Sequence, residues 1–185
     1  MNKIHLLTLL LFLSIGELFS QNVEIPDADF LQALIDTGVD TNGDGVIQQS
    51  EALARTSLTL SSRHFASMEG INTFTNLTSF SCRNNNLLLE ANISGLSNVI
   101  ILTLSDNPAL TSVDLDLVSN ISISISGNNS LTNLDIRSSS SIISLTISDN
   151  NSLTDLDFSD ISSIDALTLD SNNSISSFDF TGLSR

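Results

Sequence analysis

The chain repeats itself about every 22 residues, and this period constrains its fold more than any other feature. Apolar-x-apolar triplets fall at Leu58-Leu60, Phe80-Cys82, Leu102-Leu104, Ile123-Ile125, Leu145-Ile147 and Leu167-Leu169, spaced 22, 22, 21, 22 and 22 residues apart. A second series, Val113-Leu115, Leu134-Ile136, Leu156-Phe158 and Phe178-Phe180, runs 10 or 11 residues out of phase with the first. Steps of two residues are the signature of strand, because successive side chains point to opposite faces. No segment carries a helix-period stripe long enough to fill the return path. Fixed-period repeats of this size stack, each turn burying its apolar side against its neighbours. The expectation is a mainly β solenoid with two short parallel strands per 22-residue turn over residues 56–185. The stretch from Leu87 to Asn98 fits the pattern loosely.

An Asn column runs in step with the triplets. Asn85, Asn107, Asn128, Asn150 and Asn172 each follow the second apolar residue by three positions. A primary amide both donates and accepts, so it can bond the backbone of a bend turn after turn. These residues read as architecture. The single cysteine, Cys82, takes an inward position in the pattern and reads as a buried structural thiol.

The run Val99 to Asn107 (VIILTLSDN) follows L-x-x-L-x-L-x-x-N, and here the chain resembles a leucine-rich repeat. The doubled triplet within each unit is similar to the short, irregular repeats of bacterial surface and secreted proteins, internalin-like ones among them. The resemblance covers residues 56–185 and implies a rigid, non-catalytic scaffold for recognising proteins or surfaces.

Residues 21–55 differ. Pro26 and Asp27, followed by Phe30, Leu31, Leu34 and Ile35, predict a short amphipathic helix ending near Gly38. Asp40 to Glu51 (DTNGDGVIQQSE) then matches the twelve-residue calcium loop in full. Calcium prefers six to eight oxygen ligands. Asp40, Asn42, Asp44 and Glu51 offer side-chain oxygens, Val46 its carbonyl, and Gln48 a contact through water. Gly45 permits the sharp bend, and Ile47 packs inward. The loop resembles a solitary EF-hand-like or dockerin-like site, with no second loop to pair with. One structural calcium ion is expected here, in a cap covering the first repeat. The other reading of the loop is an Asn/Gly/Asp turn.

Residues 1–20 read as an export signal, with Lys3 at the start, an apolar run from Ile4 to Leu13 and the small Ser20 before Gln21. The run is too short to span a bilayer. The protein is therefore expected to be secreted or held at the cell surface. A net charge of -15, with six basic residues in all, argues against nucleic acid and anionic membranes.

Two outward columns are expected. The first-series triplets enclose Thr59, Ser81, Thr103, Ser124, Thr146 and Thr168; the second-series triplets enclose Asp114, Asp135, Asp157 and Asp179. Either column is a candidate binding face, and either also reads as ordinary solvated surface. The hydroxyl column carries an alternative function, an ice binder. At the C-terminal edge Phe178, Phe180 and Leu183 lack an evident cap, so further repeats of a longer surface protein, self-association or a partner are expected there. Catalysis is not expected. His64 is the one histidine left after signal removal, and there is no glycine-rich phosphate loop.

Overall fold

The computed structural model describes residues 21–115, 120–136 and 141–183. The export-signal segment, residues 1–20, lies outside them. The described residues form a mainly β solenoid with a small helical cap at its N-terminal end. The cap holds α1 (Ala28–Asp36) and α2 (Gln49–Ala54). Among the described residues the solenoid has eleven strands: β1 (Ser57–Ser61), β2 (Ser79–Arg83), β3 (Glu90–Asn92), β4 (Ile101–Ser105), β5 (Ser112–Asp114), β6 (Ile121–Ser126), β7 (Asn133–Asp135), β8 (Ser141–Ser148), β9 (Asp155–Asp157), β10 (Ser163–Asp170) and β11 (Ser177–Asp179).

The two triplet series become two parallel sheets. The first series forms one six-stranded sheet in the order β1-β2-β4-β6-β8-β10. The second forms β3-β5-β7 and, separately, β9-β11. The register follows the repeat: Leu58 pairs with Phe80, Phe80 with Leu102, Leu102 with Ile123, Ile123 with Leu145 and Leu145 with Leu167. Triplet residues turn inward to a continuous core between the sheets, joined by Leu88, Leu110, Leu131 and Leu153 from the bends, all at most 1 % exposed. A fully buried aliphatic side chain of this kind contributes about 1.5–3 kcal/mol.

Two features escaped the repeat pattern. The loosely fitting stretch contains β3, whose Ala91 takes the inward place that Val113 and Leu134 fill in the next turns. The bend itself is a left-handed residue, ahead of Arg63 in the first turn and ahead of the column Asn in the rest: Ser62, Asn84, Asp106, Gly127, Asp149 and Ser171 all have φ between 54° and 67°. Asn, Asp and Gly tolerate that conformation best. The turn chemistry therefore lies before the column as well as after it.

The Asn column does more than cap a bend. Each side chain reaches back to the preceding turn and clamps it twice. The Oδ1 atoms of Asn107, Asn128, Asn150 and Asn172 accept from the backbone N–H of Asn85, Asn107, Asn128 and Asn150, at 3.0–3.1 Å. Each Nδ2 donates to a backbone carbonyl of the turn behind, as Asn107 does to Cys82 and Asn128 to Leu104. Asn85 begins the series by accepting from Arg63 N–H. Asn85, Asn107, Asn128 and Asn150 are fully buried, yet no buried side-chain N or O among the described residues lacks a partner.

The cap docks on the first turn through charge and packing together. Asp27 N-caps α1 through Oδ1, accepting from Asp29 and Phe30 N–H at 3.0 Å each. Its Oδ2 accepts from the N–H groups of Ala66 and Ser67 in the solenoid. Arg63 forms an ion pair with Asp36 at the end of α1. Phe30 packs against Phe65 with ring centroids 5.2 Å apart.

Substituting Asn128→Ala would leave the buried Asn107 N–H without its acceptor and remove a second bond, to the Leu104 carbonyl. We expect a loss of about 2–4 kcal/mol in urea unfolding. Asn151→Ala, on the exposed Asn ladder next to the column, should stay within about 0.5 kcal/mol. Equal costs at the two positions would show that the buried column does not hold the turns in register.

Candidate functional site

Two regions concentrate polar chemistry: the 40–51 loop of the cap and the outward faces of the sheets.

The loop runs between the buried side chains of Val39 and Ile47. Its first half is organised by its own side chains. Asp40 Oδ1 accepts from Gly43 N–H at 2.7 Å and Asp44 N–H at 3.3 Å, and Oδ2 from Gly45 N–H at 2.9 Å. Asn42 Oδ1 accepts from Asp44 N–H, and Asp44 Oδ1 from Val46 N–H. Gly43 and Gly45, at φ 76° and 84°, make the tight path possible. Asp44 Oδ2 accepts from Asn42 Nδ2 and Gln48 Nε2, and Gln48 Oε1 accepts from Asn42 Nδ2. Asp40, Asn42, Asp44 and Gln48 are thus drawn into one hydrogen-bonded set.

Glu51 is held differently. Its Oε1 accepts from Thr41 N–H, Thr41 Oγ1 and Asn42 N–H at 2.6, 2.7 and 3.3 Å. Its Oε2 accepts from Gln48 N–H, closing a capping box on α2. Glu51 is 6 % exposed. Among the described residues no three or more His, Cys, Asp or Glu side chains gather as a metal centre. The loop's carboxylates Asp40, Asp44 and Glu51 do not converge as such a group; the candidate donors are these three together with amide and backbone oxygens. That all-oxygen set fits a hard divalent cation. Oε1 of Glu51 already meets three donors, so a two-oxygen contact would have to replace some of them.

The hydroxyl column is a single register line: Thr59, Ser81, Thr103, Ser124, Thr146 and Thr168 lie side by side on the six-stranded sheet. Flanking outward lines add Ser57, Ser79, Ser122 and Ser144 on one side, where Ile101, 52 % exposed, and Ala166 interrupt the hydroxyls, and Ser61, Ser105, Ser126 and Ser148 on the other. Charge enters these flanking lines at Arg83 and Asp170. The sheet is therefore a hydroxyl grid, denser than the single column legible in the repeat.

The Asp column is less regular than expected. Asp114 pairs with Asp135, and Asp157 with Asp179, but the second sheet is interrupted between β7 and β9. Two pairs form in place of one line of four. Several of these residues have local work. Asp157 Oδ1 accepts from Ser159 N–H, Asp179 Oδ1 from Thr181 N–H, and Asn92 at the head of the column from Ser94 N–H. Each bond closes an Asx turn where the chain leaves the strand.

Cys82 is fully buried, accepts from Asn85 Nδ2 at 3.0 Å, and has its thiol pushed up to about 12 by burial. It is a structural thiol. His64 stands exposed at the first bend, beside Ser62, Arg63, Asn84 and Asn86. At the C-terminal end Leu167, Phe178 and Phe180 are 38, 46 and 41 % exposed; one turn earlier Leu145, Leu156 and Phe158 are at most 2 % exposed. Phe180 stacks on Phe158 and Phe178.

Among solved structures, the chain is similar to the crystal structure of an internalin from Listeria monocytogenes, with 20 % sequence identity and a TM-score of 0.36. The match covers 82 % of this chain and 45 % of that one, so the chain spans less than half that protein's length. No protein-family model matches the chain, and no curated protein matches it.

The carboxylates of the cap set an acid limit on its stability. Burial alone would raise Asp27, but hydrogen bonds from the N–H groups of Phe30, Ala66, Ser67 and Asp29 outweigh it and hold the carboxyl below its usual range. Burial likewise opposes Glu51, and its bonds from Thr41, Gln48 and Asn42 bring it down. A depressed carboxyl contributes stability above its unfolded value, and that stability is lost as pH falls through the folded value. We expect the melting temperature to hold from pH 7 to about 5 and to fall below about 4, where unfolded carboxyls take up protons. Asp27→Ala should cost about 2 kcal/mol at pH 7 through the lost cap and tertiary bonds, and should flatten the acid limb. An unchanged acid limb in that variant would take Asp27 out of the account.

Proposed function

We propose that this protein is an exported, non-catalytic binding scaffold that recognises a protein or cell-surface ligand through its six-stranded sheet, with its cap steadied by one calcium ion. The observation that carries the reading is the hydroxyl grid. On a chain of net charge -15, one face carries little charge and is lined mostly by short Thr and Ser side chains, with Ile101 exposed among them. Such side chains lose little rotamer entropy on contact, and the parallel ladder beneath keeps the face rigid. The export signal read in residues 1–20 supports secretion or surface display. Among the described residues no helix is long and apolar enough to cross a membrane. The depressed carboxyls, Asp27, Asp36 and Glu51, all serve hydrogen bonds that hold the cap, which speaks for architecture over catalysis.

Calcium would be held by Asp40, Asn42, Asp44, Gln48, Glu51 and the Val46 carbonyl. Its charge would offset the gathered carboxylates and tie the loop to α2. An extracellular site of this kind binds at about 10⁻⁴ to 10⁻³ M.

A second reading, an ice binder, draws on the same grid. Hydroxyls repeat at about 4.8 Å between strands and about 6.6 Å along them. Ser at two of the six central positions removes the methyl groups that would pack on an ordered water layer.

Melting residues 21–185 in EDTA and in millimolar calcium tests the cap. We expect calcium to raise the melting temperature, and Asp40→Ala and Glu51→Ala each to abolish that rise. A flat response in the unmodified chain would reduce the motif to a turn. For the face, we expect Thr103→Lys with Thr146→Lys to leave the melt nearly unchanged and to remove binding in a screen of extracellular proteins and glycans. Binding that survives the double substitution would move recognition elsewhere. Thermal hysteresis in the unmodified chain, lost in the variant, would establish the ice-binding reading instead.

A further inference from the structure

We infer that the segment Gln21–Val23 acts as an intramolecular partner strand for the 40–51 loop and sets its affinity for calcium; this rests on the calcium reading above. The loop has two halves with different supports. Asp40 to Val46 is shaped by the Asp40, Asn42 and Asp44 side chains bonding its own amides. The second half is gripped from outside. Val23 N–H donates to the Ile47 carbonyl at 2.8 Å, and Gln49 N–H donates to the Gln21 carbonyl at 2.8 Å. Asn22 and Gln48 form the antiparallel bridge between them.

These bonds flank Gln48 on both sides. They also fix Gln49, the first residue of α2, two positions before Glu51. The segment therefore positions two of the candidate oxygen donors without offering one itself. A short bridge of this kind is marginal alone, but this one is anchored. Val23 and Ile25 pack against the core. Gly70, at φ 101°, lies so close to the strand that a Cβ there would come within 2.6 Å of the Glu24 carbonyl oxygen. The solenoid thus holds the segment, and the segment holds the loop. Ordering the second half before the ion arrives removes that cost from binding. By linkage, the ion must in turn strengthen docking of the segment.

The test uses the chain from residue 21 onward, calcium chloride as the ligand, and titration calorimetry. Val23→Pro deletes the N–H donor, while Val23→Ala keeps it and trims only the side chain. We expect Val23→Pro to weaken calcium binding about tenfold, the size of one lost ordering bond, and Val23→Ala to change it by less than about threefold. Amide hydrogen exchange on the unmodified chain guards against a variant that fails to fold. Calcium should slow exchange at Val23 and Gln49 N–H, neither of which is a ligand. Wild-type affinity in Val23→Pro, or unchanged exchange at those two amides while calcium binds, would overturn the inference and leave the site standing. No binding by the unmodified chain would remove the site and the inference with it.

Discussion

A primary amide buried in a protein core must find partners for both its oxygen and its nitrogen, and in this chain those partners lie one turn back. That requirement ties the solenoid together. Parallel strands align turns along their length but leave the bends to other means. Each column Asn closes a bend by accepting one backbone N–H and donating to one backbone carbonyl of its neighbour. Because both partners belong to the previous turn, the spacing between turns cannot drift at this corner. The register shift between β6 and β8 shows where drift is tolerated. It falls between Ile121 and Ser122, at strand entry, and leaves Ile143 46 % exposed. By Ser126 and Ser148 the register is restored, and the Asn128–Asn150 clamp forms as usual. An unpaired buried amide costs about 1–3 kcal/mol, and the intact clamp avoids it.

The two ends of the described stack are covered unequally. An end turn exposes core and unpaired backbone unless something covers it. At the N-terminal end the covering element is held by carboxylates aimed at backbone N–H groups. Asp27 serves α1 and the solenoid with one oxygen each, and Glu51 serves the loop and α2 in the same way. Charge-assisted bonds of this type are about twice as strong as neutral ones. They add direction to the apolar packing by which Phe30, Leu34, Ile47 and Ala52 join the solenoid core. The C-terminal end has no counterpart among the described residues, and its Phe pair stays near half exposed.

Much of this was legible because solenoids write their structure in a period. Which residues face inward, the parallel register and the role of the Asn column all follow from counting. The failures are instructive. β3 was obscured because Ala91 is a weak marker of an inward position, although the backbone ladder forms regardless. The left-handed column was hidden by its mixed composition of Ser, Asn, Asp and Gly, which share tolerance of positive φ and little else. The loop motif was read from spacing, but the Thr41 and Asn42 bonds to Glu51 were not, since they depend on how the chain folds back. Nor could Asp27's bonds to residues 39 and 40 positions away be seen in a helix-cap signal. Periodic contacts are written in the sequence; contacts between the cap and the stack are made once and leave no repeat.

The distribution of charge follows from the same geometry. Asx turns at the exits of the second sheet call for a carboxylate or amide, so Asp collects there. Strand positions on the six-stranded sheet make no such demand on their outward side chains. In a stacked ladder an acidic residue placed there would face its own copy about 4.8 Å away in every turn, at about 0.9 kcal/mol per neighbouring pair in water. Thr and Ser avoid that repulsion and suit an exposed strand. One architectural rule therefore loads the bends with negative charge and clears one broad face of it. Among the described residues, charge enters the outward lines of the six-stranded sheet at Arg83 and Asp170, while the second sheet carries the paired Asp114–Asp135 and Asp157–Asp179.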